Sequence, residues 1–279
     1  MKTSRPSVAE KRREFHRLHE SGCFVIPNPW DPGSARYLQS LGFKALATTS
    51  AGFAWSKARP DNGVTRDTVI AHLAEMVEAT DVPLNADFES GFARDAAGVA
   101  ESVQLAVAAG VAGLSIEDST GDSARPLFDL DVAVDRVRAA RRAIDASGGD
   151  TLLVGRAECF LAGRPDLDET IARLRAYASV GADCLYAPGL RTREQFAAVV
   201  AALAPKPVNA LIGWPAELKV ADLAVIGVRR ISVGGALART AWGEFMRASK
   251  LLAEEGSFAG FKDAAPGGEL NALFSTRDT

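Results

Sequence analysis

The sequence predicts an α/β fold, a parallel (β/α)8 TIM barrel, and three observations support that prediction. Eight short apolar runs alternate with eight helical patterns, one pair in about every 25–35 residues. Acidic side chains directly follow several of these runs, as at barrel active sites, which lie at the carboxyl ends of the strands. The length of 279 residues suits one such domain. A doubly wound open sheet is the alternative, but its G-x-G-x-x-G turn is missing after the first strand.

The elements can be placed in order along the chain. A helix is expected over residues 7–20, where Ser7 and Glu10 have the spacing of a capping box. The expected strands are residues 23–27, 45–50, 84–88, 113–116, 152–155, 184–187, 207–211 and 230–233. The helices after them are expected over residues 32–41, 65–79, 96–109, 132–146, 167–180, 191–203, 216–225 and 236–254. A long loop is expected over residues 51–62, after the second strand.

These elements divide the chain into a barrel domain over residues 1–255 and a C-terminal arm over residues 256–279. Pro266, Gly267 and Gly268 interrupt the arm ahead of a short apolar piece, residues 270–274. We expect this arm to pack on a neighbouring subunit. No low-complexity linker indicates a second domain.

The composition argues against several classes of protein. A formal net charge of −3 gives no basic surface for nucleic acid. No apolar stretch is long enough to span a bilayer, and the first residues lack the apolar core of a secretory signal. The cysteines, Cys23, Cys159 and Cys184, are odd in number and widely spaced, which argues for reduced thiols. We expect a cytoplasmic protein that binds neither nucleic acid nor a membrane.

Two carboxylates, Asp87 and Glu89, stand where the third strand ends. Residues two apart in a strand point to the same side, so both side chains emerge together. Like charges at close range repel, and a hard divalent cation such as Mg²⁺, held by oxygen ligands, would compensate them. The alternative is a pair of surface-loop acids. Glu117 with Asp118 follows the fourth strand, although Asp118 equally suits a helix or turn cap.

The other strand ends supply groups that would bind an anion. Arg156 and Glu158 follow the fifth strand, and a small-residue turn, residues 50–52, follows the second. A metal, Arg156 and this turn would together bind a 2-oxo acid, with the arginine clamping the carboxylate and the metal polarising the oxo or enolate oxygen. Trp30 after the first strand and Asn209 from the seventh strand are further candidates for the substrate. The alternatives are packing at the barrel rim for Trp30 and a turn-forming role for Asn209. For Arg156 the alternative is an ion pair with Glu158 or Glu117.

The absence of histidine and lysine from the predicted strand ends argues against several kinds of catalytic site. All three histidines, His16, His19 and His72, fall inside predicted helices, which argues against a zinc site or a histidine triad. No lysine stands at a strand end, so a Schiff-base aldolase is disfavoured. Cys159 and Cys184 read as packing residues, since nothing in the sequence marks either thiol as activated.

Seven motifs together resemble the isocitrate lyase/phosphoenolpyruvate mutase superfamily. They are PNPWD (27–31), TTSAG (48–52), the Pro60-Asp61 loop, NADFESGF (85–92), SIEDS (115–119), GRAE (155–158) and VGGALAR (233–239). The resemblance implies a (β/α)8 barrel, often with the last helix exchanged between subunits, in a homodimer or homotetramer. It also implies Mg²⁺-dependent making or breaking of a C–C or P–C bond next to a 2-oxo acid or its enolate.

The resemblance also implies roles for single residues. Asp87 matches the direct metal ligand, and Asp61, Glu89 and Glu117 match carboxylates that hold the metal through water. The expected ion is Mg²⁺, with Mn²⁺ as the alternative. Arg156 matches the arginine that faces the oxo acid, and the turn that binds the acid is matched by Ser50, Ala51 and Gly52. The expected catalytic residues are Arg156, Glu158 and Asp61.

The sequence departs from the superfamily after the fourth strand. Isocitrate and methylisocitrate lyases carry a lysine and a K-[KR]-C-G-H segment there, whose cysteine is the acid/base, and the mutases carry a lysine and an asparagine. This chain has STGDSARPLFDL over residues 119–130, without Cys, Lys, His or Asn. The Mg²⁺–enolate half of the site remains, and Glu158 or a substrate group would serve as the base.

The leading expectation is therefore a Mg²⁺-dependent lyase that cleaves a C–C bond of a small 2-oxo or 2-hydroxy carboxylic acid through a pyruvate-like enolate. One alternative is a mutase or hydrolase of a phosphonate such as phosphonopyruvate, which uses the same metal site. The other is a barrel that binds a 2-oxo acid without turnover, because the loop residues are lost.

Overall fold

The computed structural model describes residues 5–275, which contain eight parallel strands in one sheet. The strands are β1 (Phe24–Ile26), β2 (Leu46–Ala47), β3 (Leu84–Asp87), β4 (Gly113–Glu117), β5 (Leu152–Arg156), β6 (Cys184–Tyr186), β7 (Val208–Leu211) and β8 (Arg230–Ser232). They pair in the order β1-β8-β7-β6-β5-β4-β3-β2, and a hydrogen bond from Ala47 N to Pro27 O (3.1 Å) spans the gap between β1 and β2. The predicted (β/α)8 barrel is confirmed.

Eleven α-helices within residues 5–275 accompany the strands. They are α1 (Val8–Glu20), α2 (Pro32–Ser40), α3 (Ser50–Ser56), α4 (Arg66–Ala79), α5 (Ala96–Ala108), α6 (Leu130–Ala146), α7 (Leu167–Ser179), α8 (Arg193–Leu203), α9 (Val220–Ile226), α10 (Ala236–Glu255) and α11 (Gly267–Ser275). A 3₁₀ turn, Ala259–Phe261, lies between α10 and α11. The predicted capping box of α1 is present, since Glu10 N donates to Ser7 Oγ and Ser7 N donates to the Glu10 carboxylate. None of these helices is both long and apolar enough to cross a membrane.

The segment after β2 differs from its prediction as a loop. That prediction is wrong for the first half of residues 51–62, because α3 begins at Ser50 and continues to Ser56. The Thr49 hydroxyl caps this helix by accepting a hydrogen bond from Gly52 N (3.3 Å), and no proline follows before Pro60. The first turn of α3 therefore lies at the carboxyl end of the barrel.

Alternation along the strands separates the outer core from the barrel interior. Along β4, Leu114 and Ile116 are buried in the apolar layer between strands and helices. Their neighbours Ser115 and Glu117 therefore point to the inner side. The same alternation in β3 places Asn85 and Asp87 on the inner side, so the polar residues of the strands meet inside the barrel.

The amino end of the barrel is closed by α1. Phe15 is fully buried and packs with Ile26, Leu152 and Val154 inside the barrel. This packing requires a glycine on β4, since a Cβ on Gly113 would lie 2.6 Å from Phe15 Cε1. Because this end is filled with apolar side chains, polar groups inside the barrel face its carboxyl end.

The last helices lie on the outside of the domain. Ala238 is the buried residue of the 20-residue helix α10, whose apolar side chains Trp242, Phe245 and Met246 are exposed. The following helix α11 lies against α2, with the Arg36 guanidinium 5.4 Å from the centre of the Phe274 ring. The division into a barrel and an arm, and the packing of this arm on another subunit, stay predictions.

A buried histidine predicts how stability depends on pH. Burial lowers the pKa of His72, whose ring stacks on Phe53 at 3.7 Å between centroids, to about 4. Between about pH 6.5 and this value, the unfolded chain binds a proton that the folded protein excludes. The contribution of His72 to the free energy of unfolding is therefore fully present above pH 6.5. It decreases as the pH is lowered, by about 2 kcal/mol at pH 5. Urea unfolding at pH 7 and pH 5 measures the loss.

The matched variants are His72→Phe and His16→Gln. The first removes the titrating group from the stack, so its loss between pH 7 and pH 5 should be about 2 kcal/mol smaller than that of the wild type. The second changes an exposed histidine and should reproduce the wild-type loss. An unchanged pH dependence in His72→Phe would contradict the prediction.

Candidate active site

The candidate active site is a cavity of about 150 Å³ at the carboxyl ends of the strands. Charged and hydroxyl side chains converge in its lining, among them Ser50, Asp61, Asp87, Arg156, Tyr186 and Arg230. A larger hollow of about 570 Å³ lies on the outer surface between α5 and α6, but six of its ten lining residues are alanines. Convergent polar groups in a concave site distinguish a functional cavity, so we assign function to the one inside the barrel.

Asp87 joins two parts of this site. Its Oδ2 accepts hydrogen bonds from Ser50 N and Ser50 Oγ, both at 3.0 Å. Its Oδ1 accepts a hydrogen bond from Arg156 Nη1 at 3.0 Å. The Asp87 N–H donates to Thr48 Oγ1 at 2.9 Å, which fixes the end of β3. One carboxylate therefore holds the first turn of α3 on one side and the arginine of β5 on the other.

Arg156 is surrounded by three carboxylates. Its Nη1 lies 3.0 Å from Asp87 Oδ1 and 3.2 Å from Glu117 Oε2, and its Nε donates to Glu158 Oε1. The guanidinium carbon lies 5.0 Å from the centre of the Tyr186 ring, which covers its other side. One positive charge faces three acidic groups, so Arg156 alone does not neutralise the cluster.

Burial and repulsion between like charges favour the protonated form of several acids here. Burial, together with the charges of Asp87 and Asp61, raises the pKa of Glu89 to about 8. Burial raises the pKa of Glu117 and of Glu158 despite the nearby arginine, and burial followed by repulsion from Asp87 raises the pKa of Asp61. Such a surplus of acidic groups is relieved when a cation binds among them.

The donors at the site fit a hard divalent cation. The polar lining near Asp87 consists of carboxylate and hydroxyl oxygens, which Mg²⁺ and Mn²⁺ prefer, and the cavity is lined by neither histidine nor cysteine. Within residues 5–275, no three side chains of the ligand types already form a coordination group. The carboxylates are thus gathered in one region without being arranged as a complete coordination shell.

The structure brings together most of the predicted site. The predicted residues that line the cavity are Ser50, Ala51, Asp61, Asp87 and Arg156. Glu117 and Glu158 join them through their ion pairs with Arg156, and Glu89 lies close enough to be influenced by the charges of Asp61 and Asp87. Their catalytic and metal-binding roles stay predictions.

Two predicted substrate-binding residues lie behind the lining. A Cβ added to Gly52 would lie 3.0 Å from Trp30 Cβ and 2.7 Å from Thr49 Cγ2. Trp30 therefore packs against the back of the first turn of α3, and Gly52 allows this close approach. In this position both residues shape the turn from behind, and their contact with substrate stays a prediction.

Sequence reasoning missed the polar floor of the cavity. Arg230, the first residue of β8, lines the cavity and donates from Nε to Asn209 Oδ1 (2.8 Å) and from Nη1 to Asn85 Oδ1 (3.2 Å). Asn209, predicted to bind substrate, lies beneath the lining, with Nδ2 donating to Ser232 Oγ at 2.9 Å. The signal was present in β8, where Arg230 and Ser232 alternate with the outward-facing Ile231.

Asp118 is turned away from the cavity. Its Oδ1 accepts a hydrogen bond from Glu158 N (2.8 Å), and its Oδ2 accepts from Arg173 Nη1 (3.1 Å) and Tyr177 Oη (2.6 Å). The side chain is almost fully buried. Asp118 therefore ties the end of β4 to α7 and to the backbone that carries Glu158, and every one of these contacts is structural.

The loop after β4 folds back on itself. Ser119 and Leu127 form an antiparallel bridge, and Thr120 N donates to Pro126 O at 3.0 Å. At its far end, Phe128 N donates to Asp118 O at 2.9 Å. The loop is thus anchored at both ends close to the site, and residues 119–130 contain no cysteine, lysine, histidine or asparagine.

Comparison with protein families agrees with this geometry. A family model described as phosphoenolpyruvate phosphomutase matches residues 15–253. The chain belongs to this family. All the strand ends that form the cavity fall within the matched residues, and the resemblance to the isocitrate lyase/phosphoenolpyruvate mutase superfamily is thereby confirmed. Superfamily members are C–C lyases or mutases.

Relatives within the superfamily cover most of the chain. A solved structure from Burkholderia cenocepacia J2315, a lyase/mutase of provisional assignment, is 46% identical, with 96% of this chain and 97% of that chain covered and a TM-score of 0.93. Oxaloacetate decarboxylase from Paraburkholderia xenovorans (strain LB400) is 32% identical over 241 residues, 82% of this chain and 76% of the relative. Oxaloacetate acetylhydrolase, solved with its product oxalate, is 26% identical, with coverage of 98% and 96% and a TM-score of 0.86.

Proposed function

We propose that this protein is a Mg²⁺-dependent lyase that cleaves a C–C bond of a small 2-oxo or 2-hydroxy carboxylic acid through a pyruvate-like enolate. The observation that carries the proposal is the position of Asp87, whose carboxylate lies between the first turn of α3 and Arg156 in a cavity with surplus acid. An acid cluster beside an arginine suits a divalent cation that binds together with an anionic substrate.

The metal site is proposed for the carboxylates around Asp87. Asp87 would bind Mg²⁺ directly, and Asp61, Glu89 and Glu117 would hold it through water, with Mn²⁺ as the alternative ion. The bound cation supplies a Lewis acid for the oxo and enolate oxygens. Its charge would also favour the ionised form of Glu89, whose pKa is raised by burial and then by the charges of Asp87 and Asp61 in the protein alone.

The substrate carboxylate is proposed to contact both Arg156 and the first turn of α3, on the cavity side of the Asp87 carboxylate that bridges them. The arginine offers a planar pair of donors that matches a carboxylate. Ser50 and Ala51 line the cavity opposite, and Gly52 lets this turn approach closely. Exclusion of water by the surrounding barrel strengthens each of these contacts.

Glu158 is proposed as the group that moves the proton. It is buried, its pKa is raised by that burial, and its Oε1 accepts a hydrogen bond from Arg156 Nε. A carboxylic acid of raised pKa can donate a proton to an enolate and recover it from water. The loop after β4, residues 119–130, contains no cysteine, lysine or histidine, so the proposal takes the acid from the end of β5 instead.

The test is a proton and phosphorus NMR time course of the purified protein with Mg²⁺. The panel contains oxaloacetate first, because the relatives include an oxaloacetate decarboxylase and an oxaloacetate acetylhydrolase, and then methylisocitrate, isocitrate and phosphonopyruvate. Protein-dependent pyruvate from a carbon acid, absent in Asp87→Ala, is the expected result. Equal product in that variant would contradict the proposal.

Phosphonate chemistry is the second candidate, because the matching family model is that of a phosphomutase. Migration or release of phosphorus from phosphonopyruvate in the same experiment would support it. The loop over residues 119–130, without lysine or asparagine, argues against this reaction. A third candidate is a barrel that binds without turnover, and Mg²⁺-dependent oxalate binding with no product from the panel would favour it.

We also propose that the protein forms a homodimer or homotetramer through α10. This helix buries Ala238 in its own chain and exposes the aromatic side chains of Trp242 and Phe245. Exposed apolar surface of this kind is typical of an interface. Light scattering after size exclusion should give an oligomer for the wild type and a smaller species for Phe245→Glu, and a monomeric wild type would contradict the proposal.

A further inference from the structure

The floor of the cavity carries a buried cation without an acidic partner. Arg230 is 3% exposed, and its hydrogen bonds reach two neutral amides, Asn209 Oδ1 at 2.8 Å and Asn85 Oδ1 at 3.2 Å. No carboxylate within residues 5–275 forms an ion pair with it. A buried charge is costly unless a counter-charge accompanies it, so the environment of Arg230 is incomplete in electrostatic terms.

Other buried arginines of this protein are compensated in place. Arg12 pairs with Asp150 at 2.9 Å, and Arg173 pairs with Asp118 at 3.1 Å. Arg136 forms no ion pair with an acid among the described residues, 5–275, but its donors reach three backbone carbonyl oxygens. A guanidinium has five N–H donors, and Arg230 combines unfilled donors with a place in the cavity lining. Its counter-charge would therefore be supplied by whatever fills the cavity.

The strand geometry sets the distance from Arg230 to the proposed metal end. Asn85 and Asp87 are two residues apart on the inner side of β3, which separates them by about 7 Å along the strand. Arg230 Nη1 lies 3.2 Å from Asn85 Oδ1, so the guanidinium lies about one such step below Asp87. Measured between its outermost carboxylate oxygens, an extended four-carbon diacid spans about one such step, and the 150 Å³ cavity accommodates such a molecule.

We propose that Arg230 forms a second anion subsite, which binds the acidic group at the far end of a dianionic 2-oxo acid. This rests on the proposed function, because the 2-oxo acid head is assigned to Ser50, Asp87 and Arg156. The acidic group at the far end of the ligand is a carboxylate or a phosphonate, both of which carry the negative charge that Arg230 would bind. Asn209 and Asn85 act as positioning residues that hold the guanidinium under the cavity.

Three probes with the same head test the subsite. Pyruvate, oxaloacetate and phosphonopyruvate are each titrated against Mg²⁺-dependent oxalate binding. We expect both dianions to displace oxalate from the wild type at concentrations about tenfold or more below pyruvate. Arg230→Gln should remove this preference while it leaves oxalate affinity within about twofold, and Arg230→Lys should retain most of the preference. Oxaloacetate and phosphonopyruvate are then compared, and the one that displaces oxalate at the lower concentration shows whether the subsite prefers a carboxylate or a phosphonate.

Arg12→Gln is the matched control, because it removes another buried arginine, from α1. It should lower stability and keep the preference for dianions. The subsite is overturned if the wild type binds oxaloacetate and phosphonopyruvate no more tightly than pyruvate. It is also overturned if Arg230→Gln weakens the binding of oxalate and of these two acids equally. Failure of the wild type to bind oxalate would contradict the proposed function. In that case, thermal stabilisation of the wild type and not of Arg230→Gln by oxaloacetate or phosphonopyruvate would still uphold the subsite.

Discussion

Replacing Asp87 by alanine is expected to lower kcat/KM by about 10³-fold and to abolish Mg²⁺-dependent oxalate binding at the same time. The magnitude follows because Asp87 is the proposed ligand of the cation, and without that cation the developing enolate charge would lose one strong electrostatic contact. Folding should survive, because Arg156 retains Glu117 and Glu158 as partners. The loss of one charge also relieves the repulsion that Asp87 exerts on Asp61 and Glu89.

Thermal unfolding with and without ligand gives a readout that is independent of turnover. A ligand at about 100 times its dissociation constant stabilises the folded state by about 2.7 kcal/mol. The wild type should gain this stability from Mg²⁺ with oxalate, and Asp87→Ala should gain none. Asp87→Asn is the matched control, since it can keep the hydrogen bond from Ser50 and loses the charge, and it should behave like Asp87→Ala. Ligand-induced stabilisation in either variant would contradict a metal role for Asp87.

The barrel was predictable because its evidence is local and repeated. Eight apolar runs separated by amphipathic helices are compatible with few topologies. Helix-capping residues such as Ser7 and Thr65 can be recognised from their type and position in the sequence. The loop prediction after β2 failed because Gly52 and Ser50 resemble loop residues. The structure shows that Thr49 caps a short helix there and that Gly52 serves a close contact with Trp30.

The half of the site next to Asp87 was predictable because acidic residues directly after apolar strands are easy to recognise in a sequence. The floor of the cavity was not predicted. A run of apolar residues does not reveal which residue ends a strand. Asn209 was placed at a strand end, yet it pairs with Tyr186 and Arg230 one step deeper in the barrel. Arg230 was taken as the edge of an apolar run. Its inward direction follows from alternation with Ile231, but its depth in the barrel depends on the register of β8 with both neighbours, which the sequence does not contain.

The largest loss of stability is expected from a residue that the sequence left open between a ligand and a cap. Asp118→Ala should lower the free energy of unfolding by about 3–5 kcal/mol, because it leaves a buried arginine with one acidic partner fewer. Arg173 would keep Glu169 at 3.0 Å, while the hydroxyl of Tyr177 and the N–H of Glu158 would lose their acceptors. Urea unfolding followed by circular dichroism measures the change.

A double-mutant cycle separates the charge of Asp118 from its packing. Tyr177→Phe removes one hydrogen bond and should cost about 1 kcal/mol, and the cost of Asp118→Ala should be smaller in that background. Asp118→Asn keeps the shape and loses the charge opposite Arg173, so its cost should be intermediate. Because the Asp118 carboxylate also holds the backbone of Glu158, kcat should fall in the alanine variant while Mg²⁺-dependent oxalate binding remains. A loss below about 1 kcal/mol would mean that the buried network rearranges without Asp118.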